Sequence, residues 1–201
     1  MSLFTFDEQL LVTQLGELSW DLRLLFAVSC AERLFPAYIR YQQVAKRGDA
    51  GTLRTILDGL WDDLLRGDFS RSVAQDLDKC MALIPQEESR AWCTEEPWAE
   101  DAAACIAYSL RARQTGDPQE VAWAARRVYE AVDDYVLNAT GQEFQLPAEE
   151  KRVLAHPVIQ KELERQRRDL DELLTCNHTS RGLDVTRYRR RAVEERCIPL
   201  P

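Results

Sequence analysis

Few side chains in this sequence could act in acid–base or nucleophilic chemistry. The two histidines are His156 and His178, and imidazole is the side chain that titrates near neutral pH without a perturbed pKa. His178 lies two residues after Cys176, but structural zinc usually takes four ligands at regular spacings. His156 directly precedes a proline, which is typical of the N-cap of a helix. These residues predict no catalytic site, no metal site and no cofactor, so we interpret the chain as a non-enzyme.

Longer catalytic signatures are missing as well. The sequence contains no nucleophile elbow, no HExxH motif, no phosphate-binding loop and no dinucleotide fingerprint. Neither histidine has a glutamate three residues before it, as helical di-iron sites require. Asp62 and Asp63 border an apolar helical stripe, where a solvated face is the ordinary interpretation.

Charge is distributed unevenly along the chain. The 201 residues carry a formal net charge of −8, which repels nucleic-acid backbones and anionic membranes. Residues 58–101 hold twelve acidic residues against four basic ones, whereas residues 176–201 hold six arginines against three acidic residues. The arginine cluster at 187–191 resembles a nucleic-acid grip, but the acidic body opposes that function, and the cluster is equally able to fold back on the acidic middle. We therefore expect a basic protein partner.

The sequence also predicts where the protein is located. No apolar run reaches the length of a membrane helix, and the first residues lack the basic region of a signal peptide. The six cysteines show no CxxC spacing, and three of them lie in apolar helical patterns, as buried thiols do in a reducing compartment. We expect a cytoplasmic protein with no membrane contact.

Hydrophobic periodicity predicts an all-α fold. Apolar residues recur at three- and four-residue spacings along most of the chain, and no stretch alternates as a strand does. We predict a single-domain bundle of about seven to nine helices over residues 1–175, followed by a basic tail, 176–201, as a loop or short helix. Pro36 either kinks its helix or begins a new one. The main core is predicted from the helices near residues 18–35, 52–65, 98–113 and 118–138.

Two segments resemble the signatures of a bacterial family. Residues 30–38, Cys-Ala-Glu-Arg-Leu-Phe-Pro-Ala-Tyr, are similar to the Cys-Glu-Arg-aromatic-Pro-x-Tyr signature of the YjaG-like proteins, a domain-of-unknown-function family. Residues 54–64 are similar to its second signature, and the resemblance extends over roughly residues 15–175. It implies a compact all-helical domain and no established reaction. The signature residues, which we interpret as structural, are Cys30, Glu32, Arg33, Pro36, Tyr38, Arg54, Asp58 and Trp61.

Glu32 and Arg33 admit two interpretations. Together with Tyr38 they could line a pocket, which would make the protein an uncharacterised enzyme or a small-ligand-binding helical domain. Alternatively they form internal ion pairs, for example between Glu32 and Arg54 of the neighbouring helix. Removing one partner of a buried ion pair costs about 3–5 kcal/mol, so a structural role alone accounts for the motif, and we favour it.

The acidic segment 85–101 is the most informative candidate surface. Aromatic rings among carboxylates suit a basic protein partner, because the rings supply anchor area and the charges orient docking. The opposing interpretation is that the tryptophans belong to the core and the carboxylates are merely solvated. We predict a non-catalytic, acidic protein-binding module, such as a bacterial immunity protein that inhibits a cognate toxin. The candidate partner-binding surface is Trp92, Glu95, Glu96, Trp98, Glu100 and Asp101.

Overall fold

The chain folds as an all-helical bundle. A computed structural model describes residues 3–85, 93–141, 147–179 and 184–198, and within these ranges it contains nine helices and no strand. The predicted fold class is thereby confirmed. No helix in these ranges is long and apolar enough to cross a membrane. The helices are α1 (Glu8–Gly16), α2 (Trp20–Ala45), α3 (Ala50–Arg66), α4 (Ala74–Ala82), α5 (Glu96–Thr115), α6 (Pro118–Thr140), α7 (Pro147–Leu154), α8 (Pro157–Thr179) and α9 (Val185–Glu194).

Helix α2 is the central element of the bundle. It packs most extensively against α5 and also contacts α3, α6, α8 and α9. Helix α5 can approach both α2 and α6 closely because small residues such as Ala99, Ala102 and Ala103 are fully buried along it. Pro36 lies inside α2, so of the two predicted alternatives the helix continues through the proline. Because the proline nitrogen carries no hydrogen, one hydrogen bond of the helix is missing at this position.

The predicted basic tail forms part of the domain. Its helix α9 packs against α2 and α3, with Val185, Tyr188 and Ala192 buried. Beyond α9, the Cys197 N–H donates to the Arg33 carbonyl at 3.3 Å. The buried residues of α9 are spaced by three and four positions, so this helix has an apolar face that packs on the bundle. The domain therefore continues past residue 175, where the sequence predicted that it ends.

Candidate functional site

Glu32 connects α2 with α3. Its carboxylate, 5% exposed, accepts hydrogen bonds from both terminal nitrogens of Arg54, at 2.6 and 2.9 Å. It also accepts one from Trp61 Nε1 at 2.7 Å. Arg54 in turn lies over the Phe35 ring and contacts Asp58 at 3.0 Å. The ion pair between Glu32 and Arg54 that the sequence favoured is therefore confirmed.

Arg33 connects α2 with α8. Only 1% exposed, it donates from Nη1 to Asp169 Oδ2 and from Nη2 to Glu162 Oε1, both at 2.9 Å. Nη2 also contacts the Cys30 sulfur at 3.4 Å. Burial by itself lowers the pKa of a guanidinium, but the two carboxylates outweigh it and raise the pKa of Arg33 above its usual value. Arg33 therefore stays charged inside the protein.

Arginines from α8 and α9 complete the charge balance around Asp169. This carboxylate accepts from Arg191 at 2.7 Å and from Arg168 at 2.9 Å, in addition to Arg33. We call Arg33, Glu162, Asp169 and Arg191 the buried ionic cluster. Arg191 of the tail thus neutralises a carboxylate of this protein, and Arg189 likewise pairs with Asp58 in the acidic middle of the chain.

Two further groups of α2 that could do chemistry are also buried, the Cys30 thiol beside this cluster and the Tyr38 hydroxyl. Burial raises the pKa of the Cys30 thiol to about 12 and that of Tyr38 to about 12, and the Tyr38 hydroxyl donates to the Leu83 carbonyl at 2.8 Å. A thiol with a raised pKa is a poor nucleophile at neutral pH. Glu32, Arg33 and Tyr38 are at most 5% exposed and are bonded to protein groups, as residues with a structural role are.

Of the two histidines, only His156 has a side chain that the structure describes. The His156 Nδ1 accepts from the Val158 backbone N–H at 3.3 Å, as a capping residue does, and the His178 side chain lies outside the described part. Across the described ranges, no group of three or more His, Cys, Asp or Glu residues is arranged to hold a metal ion.

The structure divides the candidate partner-binding surface. Trp98 and Asp101 are buried, at 7% and 8% exposure, so the prediction that they belong to a surface is wrong. The Trp98 indole donates to Asp134 Oδ2 at 2.7 Å and packs against the Tyr135 ring, because Trp98 belongs to the first turn of α5 and faces α6. Asp101 faces the same way and pairs with Arg127 at 3.1 Å.

The remaining residues of that surface differ in their exposure. Glu95 and Glu96 are half-buried. Glu95 pairs with Arg40 of α2 at 3.5 Å, and Glu96 pairs with Arg47, just after the end of α2, at 2.5 Å. Glu100 is exposed. Trp92 lies outside the described residues. The described part of segment 85–101 therefore does not present a continuous surface of tryptophans and carboxylates.

Comparison with known proteins places the chain in a family. The sequence profile of DUF416, described as a protein of unknown function, matches residues 11–195. The chain belongs to the DUF416 family. The crystal structure of a DUF416 family protein from Shewanella baltica OS155 is similar to it, with a TM-score of 0.78 and 22% sequence identity over 91% of this chain and 93% of that chain. At this identity the likeness shows the fold alone. No curated protein matches this chain in sequence.

The DUF416 chain carries a second group of carboxylates at α6 and α7, which we call the acidic face: Glu130, Asp133, Asp134 and Glu150. Asp133 is half-buried, and both its burial and the other three carboxylates raise its pKa. Among the described residues, Asp133 has no ion-pair partner. The half-buried Tyr129 lies beside it and also has its pKa raised, by burial and by Asp133 and Glu150. The sequence predicted aromatic rings among carboxylates in segment 85–101, and such an arrangement is found instead at the acidic face.

Asp101 is expected to make the stability of this DUF416 protein depend on pH. Burial raises its pKa from 3.8 to about 7, and this effect outweighs the attraction of Arg127. The Asp101 carboxyl therefore binds its proton more tightly in the folded state than in the unfolded state. The free energy of unfolding that this contributes is fully present below pH 3.8 and is lost as the pH rises toward 7. Relative to Asp101→Asn, the wild type should lose about 1.4 kcal/mol of unfolding free energy per pH unit in that window.

Urea denaturation at several pH values measures this difference. The exposed Glu164 of α8 provides the control, because it is not among the charges that act on Asp101 and Glu164→Gln should leave the pH profile of the wild type unchanged. Parallel profiles for the wild type and Asp101→Asn would show that Asp101 is ionised at ordinary carboxylate pH values in the folded protein.

Proposed function

We propose that this DUF416 chain is a YjaG-like, non-catalytic cytoplasmic module that binds a basic protein through its acidic face. One observation carries the proposal: three other carboxylates lie near enough to Asp133 to raise its pKa, and Asp133 has no ion-pair partner among the described residues. Like charges held this close repel one another, so a cationic side chain from a partner would relieve the repulsion. The half-buried ring of Tyr129 beside Asp133 offers apolar anchor area.

The distribution of the other charged residues supports a binding role over a catalytic one. The arginines of α8 and α9 that lie at the buried ionic cluster are engaged by carboxylates of the same chain. The net charge of −8 accelerates encounter with a basic protein by electrostatic steering. An immunity protein that blocks a basic toxin needs these properties: a stable fold, an excess of acidic charge and a complementary surface. We therefore favour that kind of partner.

Affinity capture with matched charge reversals tests the proposal. The variant Asp133→Lys/Glu150→Lys changes the acidic face without touching Asp134, which holds Trp98. The control Glu164→Lys/Glu194→Lys makes the same change in net charge at two exposed carboxylates elsewhere. We expect the wild type and the control to retain a basic protein from a lysate of the source organism at low salt, and the acidic-face variant to lose it.

Salt provides a second readout of the same experiment. Retention that depends on surface charge weakens as ionic strength rises, because screening shortens the range of the attraction. If no basic protein is retained, or if the acidic-face variant and the control retain it equally, the acidic face is not the binding surface.

A further inference from the structure

A cleft of about 190 Å³ lies between α5 and α6 and is left largely unused by the proposed function. Four of its lining residues are spaced by three, four and seven positions, so they share one face of α6. The fifth comes from α5, and its ring centroid lies 5.5 Å from that of Trp123. The cleft is lined by Tyr108, Trp123, Arg126, Arg127 and Glu130.

Opposite charges lie side by side along this cleft. Arg126, half of its side chain exposed, donates from Nε to Glu130 Oε1 at 2.7 Å and from Nη1 to Glu8 Oε2 at 3.2 Å. Its Nη2 has no hydrogen-bond partner among the described residues. Arg127 lies 3.3 Å from the other oxygen of Glu130 and also pairs with Asp101. From one end to the other, the cleft is therefore aromatic, then cationic, then anionic.

We propose that this cleft binds a free amino acid with an aromatic side chain. The ligand ring would pack against Tyr108 and Trp123, where offset or edge-to-face contact is favourable. The ligand carboxylate would take the free Nη2 donor of Arg126, and its ammonium would pair with Glu130. Purely anionic ligands would be repelled by Glu130 and purely cationic ones by the arginines, whereas a zwitterion complements both charges.

The size of the cleft agrees with this class of ligand. A volume of about 150 Å³ is enough to hold benzene, so the cleft of about 190 Å³ has room for a single ring, with the charged groups of the ligand at its open side. The cleft shares Glu130 with the acidic face, but its other lining residues, Tyr108, Trp123, Arg126 and Arg127, do not belong to that face, and the capture variant leaves Glu130 unchanged.

Isothermal titration calorimetry with three related probes tests the inference. L-phenylalanine carries the ring and both charges, phenethylamine lacks the carboxylate, and 3-phenylpropionate lacks the ammonium. Because a hydrogen bond to a charged group contributes about 1.5–3 kcal/mol, L-phenylalanine should bind roughly tenfold or more tightly than either analogue. Binding should also shift the indole N–H resonance of Trp123, which the variant Trp123→Phe assigns.

Two variants and a matched control assign the charged groups. Arg126→Gln should abolish the preference for L-phenylalanine over phenethylamine. Glu130→Gln should abolish the preference for L-phenylalanine over 3-phenylpropionate. The control pair on α8, Arg167 and Asp171, has the same i,i+4 spacing and a similar exposure of its arginine. Arg167→Gln and Asp171→Asn should therefore leave all three affinities unchanged.

Three results would overturn the proposal. The first is the absence of saturable binding of L-phenylalanine to the wild type. The second is a pair of preferences that survive both cleft variants. The third is a control variant that weakens binding as much as a cleft variant does. Loss of the basic protein in the capture experiment would leave these titrations unaffected, so failure of either proposal is distinguishable from failure of the other.

Discussion

Replacing Arg33 with methionine is expected to lower the free energy of unfolding by about 3–5 kcal/mol. Methionine fills much of the volume that the arginine stem occupied, so the loss comes mainly from charge. The change leaves Glu162 and Asp169, which are 1% and 2% exposed, without the guanidinium that both of them share. Urea denaturation measures the change, and the exposed Arg66→Met should cost less than about 0.5 kcal/mol as a control.

A second substitution in the same background tests this cause. Without Arg33, Asp169 keeps its bonds to Arg168 and Arg191, whereas Glu162 keeps only Arg165 at 3.6 Å as an ion-pair partner among the described residues. Neutralising Glu162 should therefore recover part of the lost stability, so Arg33→Met/Glu162→Gln should be more stable than Arg33→Met. A double variant no more stable than the single one would mean that lost packing, rather than an unpaired buried charge, causes the destabilisation.

The helices and the pair between Glu32 and Arg54 could be predicted because they depend on local patterns. Apolar spacings of three and four residues specify which face of each helix is buried. Glu32 and Arg54 belong to two helices joined by a short loop, so these helices pack as neighbours. Glu32 and Arg54 each lie beside the buried face of their own helix, so few other side chains of opposite charge are within reach of either.

The partners of Arg33 could not be predicted in the same way. Glu162 lies 129 positions further along the chain, and helical periodicity does not specify which helix packs against which. The sequence did contain a signal, because Glu162 and Asp169 are seven residues apart and share the face of α8 that carries Ile159. Polar residues within an apolar stripe indicate a buried charge, but they do not identify the opposite charge.

The burial of Trp98 also had a signal that the acidic composition obscured. Pro97 is the kind of residue favoured at the start of a helix, which places Trp98 in the first turn of α5. Trp98 and Ala102 are four residues apart and therefore share the buried face. The density of carboxylates in this segment favoured a surface, yet Asp101 is buried as well because Arg127 of α6 lies opposite. Charge composition alone does not separate these two cases.

Asp169→Asn is the second change with a large expected effect, because Asp169 joins three helices. Its oxygens accept from Arg33 of α2 at 2.9 Å, from Arg191 of α9 at 2.7 Å and from Arg168 of α8 itself. The amide keeps the shape of the side chain but removes the charge that all three arginines share. We expect the free energy of unfolding to fall by about 3 kcal/mol, the lower end of the range for breaking a buried pair, because Arg33 retains Glu162.

A double-mutant cycle separates the contribution of α9 from the rest. The coupling energy between Asp169→Asn and Arg191→Gln should be about 1–3 kcal/mol, since both groups are shielded from water, at 2% and 16% exposure. The matched pair Asp58 and Arg189 also ties α9 to the bundle but is more than 30% exposed on both sides, so its coupling should stay below about 1 kcal/mol. Equal couplings for the two pairs would show that burial does not strengthen the attachment of α9.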